Sequence, residues 1–202
     1  PQNKAFELLY EVVGQGTKLL SQTKVGTELD ILGPLGNGFS IDNNKKLHIV
    51  VGGGMGVAPL MELTAKLKQP NSKIIVLIGA NTKENALLER EFMDIADKVY
   101  VTTDDGSYGE KGFVTELLTG IQNNAMPTNL YEKTTIYACG PKPMLKAVAE
   151  IAAKKKIDCQ VSVEQRMACG FGTCLGCVIE TINGYKKVCE DGPVFNSKEI
   201  KW

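Results

Sequence analysis

The sequence predicts an α/β fold: a doubly wound parallel sheet, with a short antiparallel β segment before it and a small cysteine-rich module after it. Three observations carry this reading. From Leu47 to Val163, short apolar runs alternate with stretches of helical periodicity, the pattern of βαβ units with helices on both faces of a sheet. Two β-rich runs joined by a turn-rich segment precede them. Four cysteines crowd between positions 169 and 189 among glycines. The division expected is 1–40, 41–160 and 161–202.

Phe6 to Val13 is rich in β-formers and is bounded by Gly14-Gln15-Gly16-Thr17. Thr27 to Leu32 reads as a second strand, closed by Gly33-Pro34-Leu35-Gly36-Asn37-Gly38. Two strands do not make a stable domain, so this pair needs further strands or a neighbour to pack on. Leu47–Val51 and Lys73–Ile78 are short apolar runs of the buried parallel type. A helix is expected from about Val57 to Lys68, and another from Glu84 to Ala96 with Ala86, Leu87, Phe92 and Ile95 on its apolar side. Lys98–Thr102 and Thr134–Ala138 are further strands, followed by helices from Phe113 to Ile121 and from Pro141 to Lys156. Cys159–Val163 is a last strand. In the tail, Asn183-Gly184 between Val178–Thr181 and Tyr185–Val188 is a hairpin signal.

Acidic and basic residues balance at 23 each, so the basic excess of a nucleic-acid binder is missing and small molecules or proteins are the expected partners. No apolar stretch is long enough to span a membrane. The first residues lack the basic and apolar regions of a signal peptide. They also lack an initiating methionine, so the sequence is expected to be processed or a fragment.

The six cysteines fit disulfides poorly, because disulfide frameworks belong to small secreted chains short of core. The spacing Cys169-x4-Cys174-x2-Cys177-x11-Cys189 fits the plant-type [2Fe–2S] pattern. Four thiolates must converge from one tight loop, and Gly170, Gly172 and Gly176 fall where close backbone approach is needed. A zinc site is the alternative, but zinc sites usually pair two Cys-x(2–4)-Cys units, whereas here only one Cys-x2-Cys occurs and the fourth cysteine stands alone. Cys159 is expected to be a core or edge thiol and His48, the only histidine, a structural residue.

Directly after the first parallel strand comes Gly52-Gly53-Gly54-Met55-Gly56-Val57-Ala58-Pro59. Side-chain-free residues before a helix N-terminus let a pyrophosphate approach backbone N–H groups, although glycines also make plain tight turns. Cys139-Gly140-Pro141 follows another strand, where doubly wound sheets place ligands; a buried structural thiol is the simpler reading. Asp104 to Gly109 is either a polar loop or part of a nucleotide rim. Gly14 to Thr17 is either a turn or a flavin phosphate site. Lys83 meets either a ribose 2′-phosphate or solvent, so NAD and NADP stay open.

Together these segments resemble the ferredoxin–NADP reductase superfamily, and within it the electron-transfer subunits of NAD-dependent bacterial dihydroorotate dehydrogenases. The likeness lies in Arg166 to Cys177 (RMACGFGTCLGC), Val188 to Phe195 (VCEDGPVF), Leu8 to Thr17 (LLYEVVGQGT), GGGMGVAPL and ACGP, and it spans essentially the whole sequence. The resemblance implies that Cys169, Cys174, Cys177 and Cys189 are cluster ligands. It implies that Leu9, Tyr10, Glu11, Gly16 and Thr17 contact FAD, that Gly54, Gly56 and Pro59 hold the pyrophosphate of NAD(H), and that the Cys139 thiol lies near the nicotinamide. It implies cytoplasmic electron transfer in pyrimidine biosynthesis, between NAD(H) and the FMN of a separate catalytic subunit, through FAD and the cluster, in a heterotetramer. A hydride carrier moves two electrons and the cluster one, so a flavin must stand between them.

The sequence departs from the family in one respect: its Arg-Pro-x-Ser/Thr flavin motif does not occur. The flavin barrel is therefore expected to be a remnant, N-terminally truncated, that holds FAD weakly or loses it. Glu11 stands where a basic residue would assist a flavin phosphate. Two other functions compete with this one: a diaphorase subunit serving another reductase or a hydrogenase, and a four-cysteine zinc or redox-sensing module.

Overall fold

The computed structural model describes residue 5 and residues 7–124 and 128–202. Residues 1–34 and 35–202 form two compact units.

Within the first unit the regular element is helix α1, Gln15–Ser21. The two expected strands are not formed among its described residues; Phe6 lies outside them. A strand exists through its ladder partners, and none is offered among the described residues of this unit. The β propensity of 7–13 and 27–32 therefore goes unused.

The second unit is built on a seven-stranded sheet. Its elements in chain order are β1 (Leu47–Gly53), α2 (Ala58–Leu67), β2 (Lys73–Ala80), α3 (Glu89–Met93), β3 (Lys98–Thr103), β4 (Glu110–Lys111), α4 (Val114–Asn124), β5 (Thr134–Cys139), α5 (Lys142–Lys155), β6 (Asp158–Ser162), β7 (Val178–Thr181), β8 (Gly184–Lys187) and β9 (Val194–Asn196). The strand order is β4-β3-β2-β1-β5-β6-β9. All neighbours run parallel except β9, which lies antiparallel to β6. β7 and β8 form a separate antiparallel hairpin.

Period-two alternation sorts β1 onto two cores. Leu47, Ile49 and Val51 face α4 and α5, and Val50 faces α2 and α3. Helix α2 buries Leu60, Leu63, Thr64 and Leu67, and α5 buries Leu145, Val148, Ala149 and Ala152. Both sets follow the i, i+3, i+4, i+7 stripe of an amphipathic helix, and full burial of each large aliphatic contributes about 1.5–3 kcal/mol.

The helix expected over 84–96 is much shorter. A 3₁₀ turn occupies Lys83–Asn85, Leu88 takes a left-handed conformation, and only Glu89–Met93 is α-helical. The Thr82 hydroxyl donates to the Glu84 carboxylate at 2.7 Å, which closes the first turn. Leu88 then resets the chain so that Phe92 is fully buried. The hairpin forms where Asn183-Gly184 placed it.

The chain crosses from β1 toward β2 on one side and returns to β5 on the other. The order thus reverses between β1 and β5, and their C-terminal ends form the topological switch point where such sheets bind ligands.

Candidate functional site

The cysteine turn lies between β6 and β7. Gly170 and Gly172 carry φ of +79° and +85°, and Leu175 carries +60°. These left-handed residues curl the backbone so that its N–H groups turn onto sulfur. Gly172 N–H donates to Cys189 Sγ at 3.1 Å, and Cys174, Gly176 and Cys189 N–H groups donate at 3.4 Å to the sulfurs of Cys169, Cys174 and Cys177 respectively. The Cys177 and Cys189 sulfurs stand 3.3 Å apart. Backbone N–H groups from Cys174 and Phe171 lower the Cys169 thiol to about 6, and the Cys189 N–H lowers that of Cys177. Hydrogen bonding to Cys177 raises the Cys189 thiol, as two adjacent thiols cannot both ionise freely.

Four sulfurs, each served by an N–H, are the donor set of a thiolate-ligated cluster and match its chemistry. Cys177 and Cys189 are buried and belong to the core that α5, β6 and β9 share. Cys174 is exposed, with Met167, Phe171 and Leu175 exposed on the same turn. One end of the site is therefore anchored in the protein and the other opens to the surface.

The loop carrying Cys189 is tied to residues 36–37, a contact the sequence did not reveal. Asn37 Nδ2 donates to the carbonyls of Glu190 (2.9 Å) and Asp191 (3.3 Å), and Val194 N–H donates to the Asn37 carbonyl at 3.3 Å. Asp191 accepts the Lys187 N–H at 2.7 Å, which with Lys186 holds its carboxyl below the usual range. The only sequence signal for this staple was the Gly36-Asn37-Gly38 turn.

At the switch point the structure brings Gly56 against Cys139, with Gly54 in the same turn and Pro59 at the start of the helix that follows. Gly52 pairs with Cys139 across β1 and β5. A Cβ on Gly56 would overlap the Cys139 carbonyl, and one on Gly140 would stand 3.0 Å from Gly53 Cα. Gly54, at φ +53°, has open space where a side chain would be. The 3₁₀ turn Gly54–Val57 leads into α2, with Pro59 in its first turn. This side-chain-free cradle before a helix suits a pyrophosphate. Burial raises the Cys139 thiol, so it is held protonated.

Beyond the ends of β2 and β3, Tyr108 donates to Glu89 at 2.7 Å and Lys83 Nζ lies 5.6 Å from the Tyr108 ring centroid. Ser107 donates to Asp105 at 2.7 Å. The sequence flagged this loop without showing that Glu84 and Glu89 join it.

In the first unit, Leu9, Tyr10 and Glu11 are exposed, and Gly16 and Thr17 lie in α1. The Thr17 hydroxyl accepts the N–H groups of Val13 and Gly14 at 3.0 and 3.2 Å. Within this unit it works as a helix-start residue.

A family model described as the iron-sulfur cluster binding domain of dihydroorotate dehydrogenase B matches residues 164–201, and one described as an oxidoreductase NAD-binding domain matches residues 50–150. The dihydroorotate dehydrogenase B (NAD(+)) electron transfer subunit of Caldanaerobacter subterraneus subsp. tengcongensis is 42% identical, over 98% of this chain and 76% of that protein. Its counterpart in a Geobacillus species is 43% identical, over 96% of this chain and 73% of that protein. A solved NADH-dependent reduced ferredoxin-NADP oxidoreductase, studied for flavin-based electron bifurcation, matches with a TM-score of 0.82 and 34% identity, over 96% of this chain and 67% of that one. The cytochrome b5 reductase domain of Ulva prolifera nitrate reductase shares the fold, with a TM-score of 0.56 and 23% identity over 71% of this chain and 61% of that one.

Proposed function

Since the chain belongs to the family of dihydroorotate dehydrogenase B electron transfer subunits, we propose that its residues divide the work of an NAD(H)-linked electron relay as follows. The chain is an oxidoreductase subunit that carries electrons between NAD(H) and a catalytic partner subunit. Its cofactors are NAD(H), FAD and an iron-sulfur cluster. When bound, the flavin would supply the exchange between the electron pair of one hydride and single electrons, and the cluster would supply one-electron transfer.

Cys169, Cys174, Cys177 and Cys189 hold a [2Fe–2S] cluster, and the N–H groups aimed at their sulfurs stabilise its negative charge. Gly54, Gly56 and Pro59 admit the pyrophosphate of NAD(H). Cys139, packed beneath that turn, positions the nicotinamide end as a neutral thiol. Leu9, Tyr10, Glu11, Gly16 and Thr17 line the flavin side. The work divides over 1–40, 41–160 and 161–202, with FAD, NAD(H) and the cluster in turn. The catalytic partner carries FMN and oxidises dihydroorotate, two of each subunit assemble, and the complex works in the cytoplasm. No described helix is long and apolar enough to cross a membrane.

The observation that carries this reading is the set of four sulfurs, each accepting a backbone N–H. The test is anaerobic purification with iron, zinc and flavin analysis and electron paramagnetic resonance after dithionite. Two irons per chain and a one-electron-reduced diiron signal are expected. A colourless, zinc-loaded protein overturns the reading and leaves a zinc or redox-sensing module. A diaphorase role toward another reductase is favoured by one observation, the 34% identity to an NADH-dependent reduced ferredoxin-NADP oxidoreductase. Co-purification with a protein that oxidises dihydroorotate decides for the first reading.

A further inference from the structure

Lys187 ends β8 and reaches from the hairpin to the cysteine turn. Its Nζ donates to the Gly172 carbonyl at 3.3 Å and pairs with the carboxylate of Glu190, the residue after Cys189. Gly172 is the residue whose N–H reaches Cys189 Sγ at 3.1 Å. It does so in a left-handed conformation, and a Cβ there would run into the Glu190 carboxylate and stand 3.1 Å from Lys187 Nζ. One ammonium thus ties two parts together: the turn carrying three ligands, held at the glycine that serves the fourth sulfur, and the segment leaving that sulfur.

The surrounding charges are paired. Lys186 Nζ lies 3.5 Å from Asp191 Oδ1, and the Asp191 carboxylate also takes the Lys187 N–H. Lys187 is the cation on Gly172, and Glu190 is its counterweight. As a contribution to stability this pair is small, because its carboxylate is 55% exposed and water screens the attraction. Its position next to a ligand sulfur gives it a different use.

We propose that Lys187 is a positioning residue for the cluster: it holds the Gly172 N–H on the Cys189 sulfur and sets positive charge beside it, so raising the reduction potential, while Glu190 draws that potential back down. The physical reason is direct. Reduction adds an electron to the site, a nearby cation stabilises the added charge and a nearby anion opposes it, and hydrogen bonds to the sulfurs act in the same sense as the cation. The two partners of one ion pair therefore act on the potential with opposite signs. This inference rests on the four cysteines being ligands of a [2Fe–2S] cluster.

The experiment compares the anaerobically prepared full chain with Lys187→Met, Lys187→Arg and Glu190→Gln. Iron content, thermal melting and potentiometric titration followed by electron paramagnetic resonance are measured for each. Lys187→Met is expected to lower the midpoint potential and alter the resonance spectrum, with melting little changed. Lys187→Arg is expected to restore the wild-type potential, and Glu190→Gln to raise it. A Lys187→Met protein with two irons and an unchanged potential overturns the proposal, as do shifts of the same sign in Lys187→Met and Glu190→Gln. If Lys187→Met takes up no iron, Glu190→Gln alone decides: a raised potential supports the proposal and an unchanged one overturns it. A wild-type chain without a diiron signal overturns the underlying function as well, which separates the two failures.

Discussion

Asn37 Nδ2 donates to the Glu190 carbonyl at 2.9 Å, joining a turn ahead of the first parallel strand to the residue that follows the fourth cysteine. The same amide reaches the Asp191 carbonyl at 3.3 Å, and a Cβ at Gly36 would overlap the Gly192 carbonyl. Residues 190–194 therefore leave Cys189 along a path set by residues 36–37. Asn37→Ala removes two donors from exposed carbonyls that water can partly serve, at a cost of about 1 kcal/mol. Asn37→Asp costs more, because a carboxylate would face two carbonyl oxygens. Iron release to a chelator is expected to quicken in the order wild type, Ala, Asp. Equal release rates in all three would show that the staple does not steady the ligand loop.

The two βα turns at the switch point meet backbone to backbone, since the Cys139 carbonyl occupies the place of a Gly56 side chain. Gly56→Ala must push these turns apart, an overpacking cost of about 1–3 kcal/mol. NADH binding is expected to weaken by at least about tenfold, equivalent to 1.4 kcal/mol. Gly120 in α4 has nothing within 4 Å of a would-be Cβ. Gly120→Ala is therefore the control, with unchanged NADH affinity and a stability gain of up to about 1 kcal/mol. Calorimetric titration and thermal melting measure both, and an undisturbed NADH affinity in Gly56→Ala would remove the cradle from the binding site.

The parts of the fold that could be read from sequence are those set by local periodicity. The stripes Leu60-Leu63-Leu67 and Leu145-Val148-Ala152 and the buried runs of β1, β2 and β5 fell where the alternation put them. The cysteine spacing likewise marked its own turn, because ligands that converge from one loop are a local matter. What could not be read depends on partners distant in sequence. β9 is three residues long and exists by pairing with β6; the segments 7–13 and 27–32 have strand composition and no ladder partner among the described residues of their unit. Asn37 and Lys187 are ordinary polar residues until the chain brings Glu190 and Gly172 to them.

The rim beyond β2 and β3 is expected to favour NADH over NADPH. Glu84, Glu89 and Asp105 bring carboxylates to it, and the hydroxyls of Thr82, Tyr108 and Ser107 hold them in place. Hydrogen bonds from Thr82 and Ser107 keep the Glu84 and Asp105 carboxyls below their ordinary range, so both are charged at neutral pH. Lys83 is drawn over the Tyr108 ring. A ribose 2′-phosphate would meet carboxylates of like charge, whereas a 2′-hydroxyl can donate to one. Glu84→Arg is expected to reduce the NADH preference at least tenfold, read as the ratio of dissociation constants. An unaltered ratio would place the ribose elsewhere.

His48 gives the fold a pH dependence that one substitution can isolate. It is the only histidine, lies on β1 at 3% exposure, and its Nδ1 has no hydrogen-bond partner among the described residues. Burial lowers its pKa below 6.5, and Asp42 partly offsets this. As pH falls through 6.5 the unfolded chain takes up this proton first, so stability declines with pH until the folded protein is protonated too. Above 6.5 the contribution is fully present. His48→Leu removes the proton site and is expected to flatten the urea midpoint between pH 7.5 and 5.5 relative to wild type, with the largest gain at the acid end. Carboxylates distant from His48 keep the same surroundings in both proteins, so their share cancels in the difference. An equal slope in the two proteins would mean that water reaches the imidazole and that β1 is less closed than its burial indicates.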